Sequence, residues 1–139
     1  MKPPEEALRS LVAEWVAKAD KDFQAAVRLL DEGAYFREIV GFHSQQAAEK
    51  YLKALLVRHQ VEFPKTHDIG ELLDLMARID SSAAGALRDA DLLTPLGVEI
   101  RYPGDAPEMQ PGGESAVVEL ARRVKDSVMK LLGPYLSRG

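Results

Sequence analysis

Apolar residues recur along this chain at steps of three and four, and little else fits that spacing but an α-helix. Leu8, Val12, Trp15, Ala19, Phe23, Ala26 and Leu30 fall in one stripe near the start. Val117, Ala121, Val124, Val128, Leu131 and Tyr135 fall in another near the end, spaced 4, 3, 4, 3 and 4. Such spacing lines up side chains on one face of a helix of 3.6 residues per turn, and the regular seam suits packing in a bundle. No useful stretch alternates with the two-residue period of a strand.

Punctuation divides the rest. Gly33 follows Asp31 and Glu32 and is placed to stop the first helix, because glycine reaches the left-handed conformation cheaply. A second helix is expected from about Tyr35 to Gln60, with a break by Pro64. Asp68 and Glu71 have the spacing of a capping box before a short third helix carrying Leu72, Leu73, Met76 and Ile79. His67-Asp68 also reads as a fragment of a metal site, against the cap. A fourth helix is expected over about 83–97 after Asp80-Ser81-Ser82. From Pro103 to Gly113 there are three prolines and three glycines in eleven residues, a long loop for a compact domain.

The fold class expected is all-α, an up-and-down bundle of four to five helices, as one domain over residues 1–139. Trp15, Phe23, Ala47, Tyr51, Leu55, Val124 and Leu131 are its expected core residues. There are no cysteines, which excludes disulfides, thiolate nucleophiles and Cys-ligated zinc. No apolar run reaches the roughly 18 residues of a membrane span, and the first residues lack a signal-peptide core. A cytoplasmic protein is the expectation. The net charge of −4 argues against a general binder of phosphate backbones but leaves room for local basic patches. Residues 50–67 and 119–139 each sum to +3. In the latter, Arg122, Arg123, Lys125, Lys130 and Arg138 read either as a solvated face or as such a patch.

The second helix carries the most chemistry. At 100° per residue, Val40, Ser44, Ala47, Ala48, Tyr51, Ala54 and Leu55 make a wide arc of apolar and small residues. This should place the helix at the centre of the bundle. His43, Gln45, Gln46, Glu49, Lys50 and Lys53 share the remaining arc, either as a solvent face or as a site. Lys50 and Lys53, three residues apart, are placed to converge on one anion. No phosphate-binding glycine loop is present, since Pro111-Gly112-Gly113-Glu114 lacks the following Lys and Ser or Thr.

The run Phe42-His43-Ser44-Gln45-Gln46-Ala47-Ala48-Glu49-Lys50-Tyr51-Leu52-Lys53-Ala54-Leu55-Leu56 resembles the signature helix of the HEPN family. Phe63-Pro64-Lys65-Thr66-His67-Asp68-Ile69 is similar to that family's next segment, and Ile100-Arg101-Tyr102-Pro103 to its Arg-Tyr-Pro element before the last helix. The resemblance runs from about Trp15 to Tyr135. It implies a helical bundle, often dimeric, like the helical domain of kanamycin-type nucleotidyltransferases. It further implies a separate minimal nucleotidyltransferase as partner in a toxin–antitoxin-like module, and association with nucleotides or RNA.

Many HEPN proteins are metal-independent ribonucleases with an Arg, four to six residues, then a His near a late helix. This sequence has no histidine after Arg101; its three are His43, His59 and His67. Arg37 and His43 match the spacing in a different part of the chain. A non-catalytic subunit is therefore expected, with no cofactor or metal. Its nucleotide or phosphate site is expected to use Arg101 as a bidentate fork and Tyr102 as a stacking face, with Lys50, Lys53 and His43 beside them. Arg101 and Tyr102 can alternatively serve only to anchor the loop. The competing functional expectation is a HEPN ribonuclease toxin with a degenerate site, and a homodimer is expected in either case.

Overall fold

The computed structural model describes residues 4–97 and 109–137. Helix α1 (Glu5–Leu30) opens with Glu5 and Glu6 in its first turn, where carboxylates complement the helix dipole. It ends three residues before Gly33, whose φ of 88° lets the chain reverse as expected. A single 3-10 turn over Ala34–Phe36 leads into α2 (Arg37–Arg58). Helices α3 (Ile69–Met76) and α4 (Ser81–Ala86) follow, then a 3-10 segment over Arg88–Leu96, and α5 (Gly113–Leu136) closes the described chain. Among the described residues there is no strand, and no helix is long and apolar enough to cross a membrane. The protein is an all-α helical bundle.

Side-chain contacts fix the directions of the long helices. Trp15 meets Lys53 and Asp22 meets His43, so α1 and α2 are antiparallel. Arg9 meets Tyr135 and Arg122 meets Phe23, so α1 and α5 are antiparallel too. Arg37 meets Glu114 and Arg58 meets Tyr135, so α2 and α5 run parallel. Between these two, the chain works back along α2: Val61 bonds the Leu56 carbonyl, His67 meets Glu49, and Gly97 lies against Gln45. The short elements thus fill the third position of an up-and-down bundle.

Helix α2 is central. Val40, Ala47, Ala48, Tyr51, Ala54 and Leu55 are all completely buried, and they join buried residues of every other helix in one contiguous core. The stripe of α1 holds with one exchange: Val16 is buried, whereas Trp15 is only half-buried and meets Phe63 edge-on at 6.5 Å. On α5 the buried seam is Val118, Ala121, Val124, Val128, Leu132 and Tyr135, so Leu132 takes the core position expected of Leu131.

The largest departure is the fourth helix. Instead of one helix over 83–97, α4 is six residues long and a tighter 3-10 segment follows. Asp80 caps α4 as expected, accepting from the Ala83 amide at 2.9 Å. The tighter winding of the 3-10 segment puts its polar side chains on the start of α3. Thr94 Oγ1 accepts from the Ile69 amide at 3.0 Å, and Asp91 Oδ1 from the Gly70 amide at 3.0 Å. With Asp68 accepting from Glu71 N at 3.2 Å, three free amides of the first turn of α3 are satisfied. Asp68 therefore fills the capping role that its spacing with Glu71 suggested.

Candidate functional site

The polar arc of α2 is divided between two carboxylates. On the α1 side, Asp22 accepts from both His43 and Lys50. His43 Nδ1 donates to Asp22 Oδ1 at 2.8 Å, and Lys50 Nζ donates to Asp22 Oδ2 at 2.5 Å. Burial by itself would raise the Asp22 carboxyl pKa. The two hydrogen bonds and the charges of their donors outweigh it and hold the carboxyl below its ordinary value. An ionised carboxylate has no proton to give, so the bonded nitrogen of His43 is the protonated one. In the neutral ring Nε2 is then left as an acceptor.

Two residues back along α1, Asp20 accepts the hydroxyl hydrogen of the completely buried Tyr51. Burial first, and then this bond to a carboxylate, push the Tyr51 pKa far above that of a free phenol. The hydroxyl therefore stays a neutral donor and fastens α2 to α1.

On the other side of the arc, Glu49 is 4% exposed and gathers three donors. Gln45 Nε2 reaches it at 3.1 Å, Lys53 Nζ at 3.0 Å and His67 Nδ1 at 2.8 Å. Gln45 also donates to the His67 carbonyl at 3.0 Å and accepts from Gln46 at 2.7 Å. Lys53 is 7% exposed, its ammonium 5.9 Å from the Trp15 ring centre and 5.6 Å from that of Phe63. A buried charge this well paired and covered serves chiefly to lock segment 61–68 onto α2. The spacing of α2 gave no sign of this, because three of the partners, Trp15, Phe63 and His67, lie on other parts of the chain.

Of the site residues expected from the sequence, His43 and Lys50 come together on Asp22. Lys53 belongs to the separate Glu49 cluster, so the two lysine ammonium groups are held by different carboxylates. Arg101 and Tyr102 lie outside the described residues, as does most of the loop from Pro103 to Gly113. The residues flanking that stretch are described. A Cβ on Gly97 would sit 2.5 Å from the Gln45 amide carbon, and one on Gly41 would sit 3.0 Å from Met109 Cε and 3.3 Å from Leu96 Cδ1. The chain thus leaves and rejoins the described fold within one turn of α2. Arg37 turns away from His43 and donates to Glu114 Oε2 at 2.8 Å, so one faces α5 and the other α1.

The residue missed by sequence reasoning is Asp22. A signal was present: it lies three residues after Ala19 and four before Ala26, which places a carboxylate at a buried-stripe position of α1.

Comparison with known proteins gave no match among curated proteins and none among solved structures. The family model described as "HEPN domain" matches residues 12–132, which takes in α1 from Val12, all of α2 to α4 and α5 to Leu132. The chain belongs to the HEPN family.

Proposed function

We propose that this protein is a nucleotide- or RNA-associated HEPN subunit, the non-catalytic partner of a minimal nucleotidyltransferase in a two-component, toxin–antitoxin-like module. Family membership supports the class. The observation that carries the site is the position of Leu96, Gly97 and Met109 against Gly41 and Gln45, in the turn of α2 that contains His43, whose ring faces α1. The segment bearing Arg101 and Tyr102 starts and ends there. In this reading Arg101 supplies a fork for a phosphate and Tyr102 a face for a base, while His43 offers Nε2 to a sugar or base edge. Lys50 adds positive charge from the Asp22 cluster, and Lys53 contributes only a field from behind Glu49. No metal or cofactor takes part, and the subunit works in the cytoplasm.

A homodimer is part of the proposal. Leu11, Tyr35, Ile39 and Leu92 are exposed, Tyr35 at 89%, and two-fold packing would cover apolar surface of this kind. Light scattering at micromolar concentration should give twice the mass of the chain; a monomer removes this part.

The test of the whole is a pull-down with the tagged chain from native lysate, followed by mass spectrometry of bound protein and nucleotide. A small nucleotidyltransferase should be recovered in stoichiometric amount. Arg101→Ala, with its thermal stability unchanged, should bind nucleotide or RNA more weakly than the parent. Recovery of no nucleotidyltransferase, together with equal binding by parent and variant, overturns the proposal.

A further inference from the structure

Most ion pairs of α1 and α2 are matched one to one or two to one with carboxylates, but a cleft between α1 and α5 is not. Phe23, Gln24, Val27 and Arg28 of α1 and Arg122 and Lys125 of α5 line a cleft of about 260 Å³. No acidic residue is among them. The buried Phe23 ring forms its floor, with Arg122 Cζ 5.1 Å and Lys125 Nζ 5.0 Å from the ring centre. A ring face attracts cations without cancelling their charge, so both remain available to an anion. Among the described residues, the ion pair these cations make is Arg122 Nε with Glu119 at 3.5 Å, and it is exposed on the helix surface. An exposed pair of this kind binds weakly and leaves the rest of the Arg122 fork free. Asp126, next in sequence to Lys125, instead exerts its charge on Tyr51.

We infer that this cleft is a phosphate-binding site, built from Arg28, Arg122 and Lys125 over the Phe23 ring and separate from the arc of α2. Three cations from two helices give a fork, a point charge and a third arm around one anion. The volume falls below the roughly 300 Å³ at which pockets begin to hold whole small molecules. It suits one phosphate group, with whatever carries the phosphate lying outside. A single-stranded RNA backbone, which presents such groups in series, is the ligand the cleft fits best. Free phosphate shares its chemistry but has one group only. The inference shares RNA as a ligand with the proposed role of the chain but not its site, since none of its residues belongs to the site considered above.

The test is fluorescence anisotropy with labelled oligouridylates of about 4 to 12 nucleotides, a site size common for single strands, with inorganic phosphate as competitor. The parent should bind more tightly as the oligonucleotide lengthens, and affinity should fall steeply between about 50 and 200 mM salt. Inorganic phosphate should compete only at much higher concentration. The triple variant Arg28→Gln/Arg122→Gln/Lys125→Gln should bind at least about tenfold more weakly and with a shallower salt dependence. Lys130→Gln, which removes a charge from α5 outside the cleft, should stay within about threefold of the parent. If the triple variant does not fold, Arg28→Gln alone, which touches no ring, should still weaken binding. Equal weakening by Lys130→Gln would mean that the charge of α5 at large, and not the cleft, holds the RNA, and would overturn the inference. So would no binding by the parent at about 50 mM salt, or binding of polyglutamate as tight as that of RNA.

Discussion

His43 Nδ1 lies 2.8 Å from Asp22 Oδ1, and Lys50 Nζ takes the other oxygen of the same carboxylate. One acidic side chain of α1 therefore holds two of the polar side chains that α2 displays. Because the Asp22 pKa is lower in the folded chain than in the unfolded one, folding favours its ionised form. The stabilisation is complete above the unfolded value of about 3.9 and is lost as pH falls through the folded value. Asp22→Ala should cost about 1–3 kcal/mol at pH 7, measured by urea denaturation. The difference from the parent should shrink steadily below about pH 4. A difference independent of pH would mean that the side chain matters only by its packing.

Gly97→Ala sets two effects against each other. The backbone at Gly97, with φ −82° and ψ 13°, is open to alanine. Stiffening the unfolded chain would then stabilise by about 0.4–1 kcal/mol. The added methyl, however, meets the Gln45 amide at 2.5 Å. That amide is buried and bonded to Glu49 and the His67 carbonyl, so it cannot swing aside without losing both bonds. A net loss of about 1–3 kcal/mol is expected. A rise in melting temperature would show that Gln45 can be displaced freely.

Leu131 and Leu132 offer an internal comparison on one helix. Leu132 is completely buried and Leu131 partly exposed. Leu132→Ala should cost about 2–5 kcal/mol, as should Leu55→Ala in α2, whereas Leu131→Ala should cost clearly less. Chemical denaturation of the three variants decides it; equal losses at 131 and 132 would place the α5 seam elsewhere.

RNA cleavage without metal is expected to be absent. Two groups must move protons at and around the 2′-hydroxyl, and Arg37, the one arginine at family spacing from His43, is held by Glu114 on another helix. Incubation of the purified protein with labelled RNA in chelator should leave it intact. The His43–Asp22 pair is the arrangement of an oriented base, so His43→Ala is the control. Cleavage by the parent that disappears in this variant would restore the ribonuclease reading.

The helices were legible in the sequence because burial imposes a period on them. The period locates an arc rather than a residue, which is why Trp15 and Leu131 changed places with Val16 and Leu132, their neighbours 100° away. Trp15 could settle at the margin because Phe63 and the Lys53 ammonium cover its ring there. The 3-10 segment was not legible, since its winding answers to the amides of α3 about twenty residues back. The polar arc of α2 was legible as a set. Its division was not, because Asp22 and His67 come from other parts of the chain.

Leu96 and Met109 both close on Gly41. The two ends of the intervening stretch are thus pinned side by side on one turn of a buried helix. The entropy of closing such an excursion grows slowly, by about 0.6 kcal/mol for each doubling of its length. In closure entropy alone, a change in the length of chain between the pins therefore costs the fold little. What the core fixes is the pair of anchor points, so Gly41, Leu96 and Met109 are the positions that a redesign of that stretch has to keep.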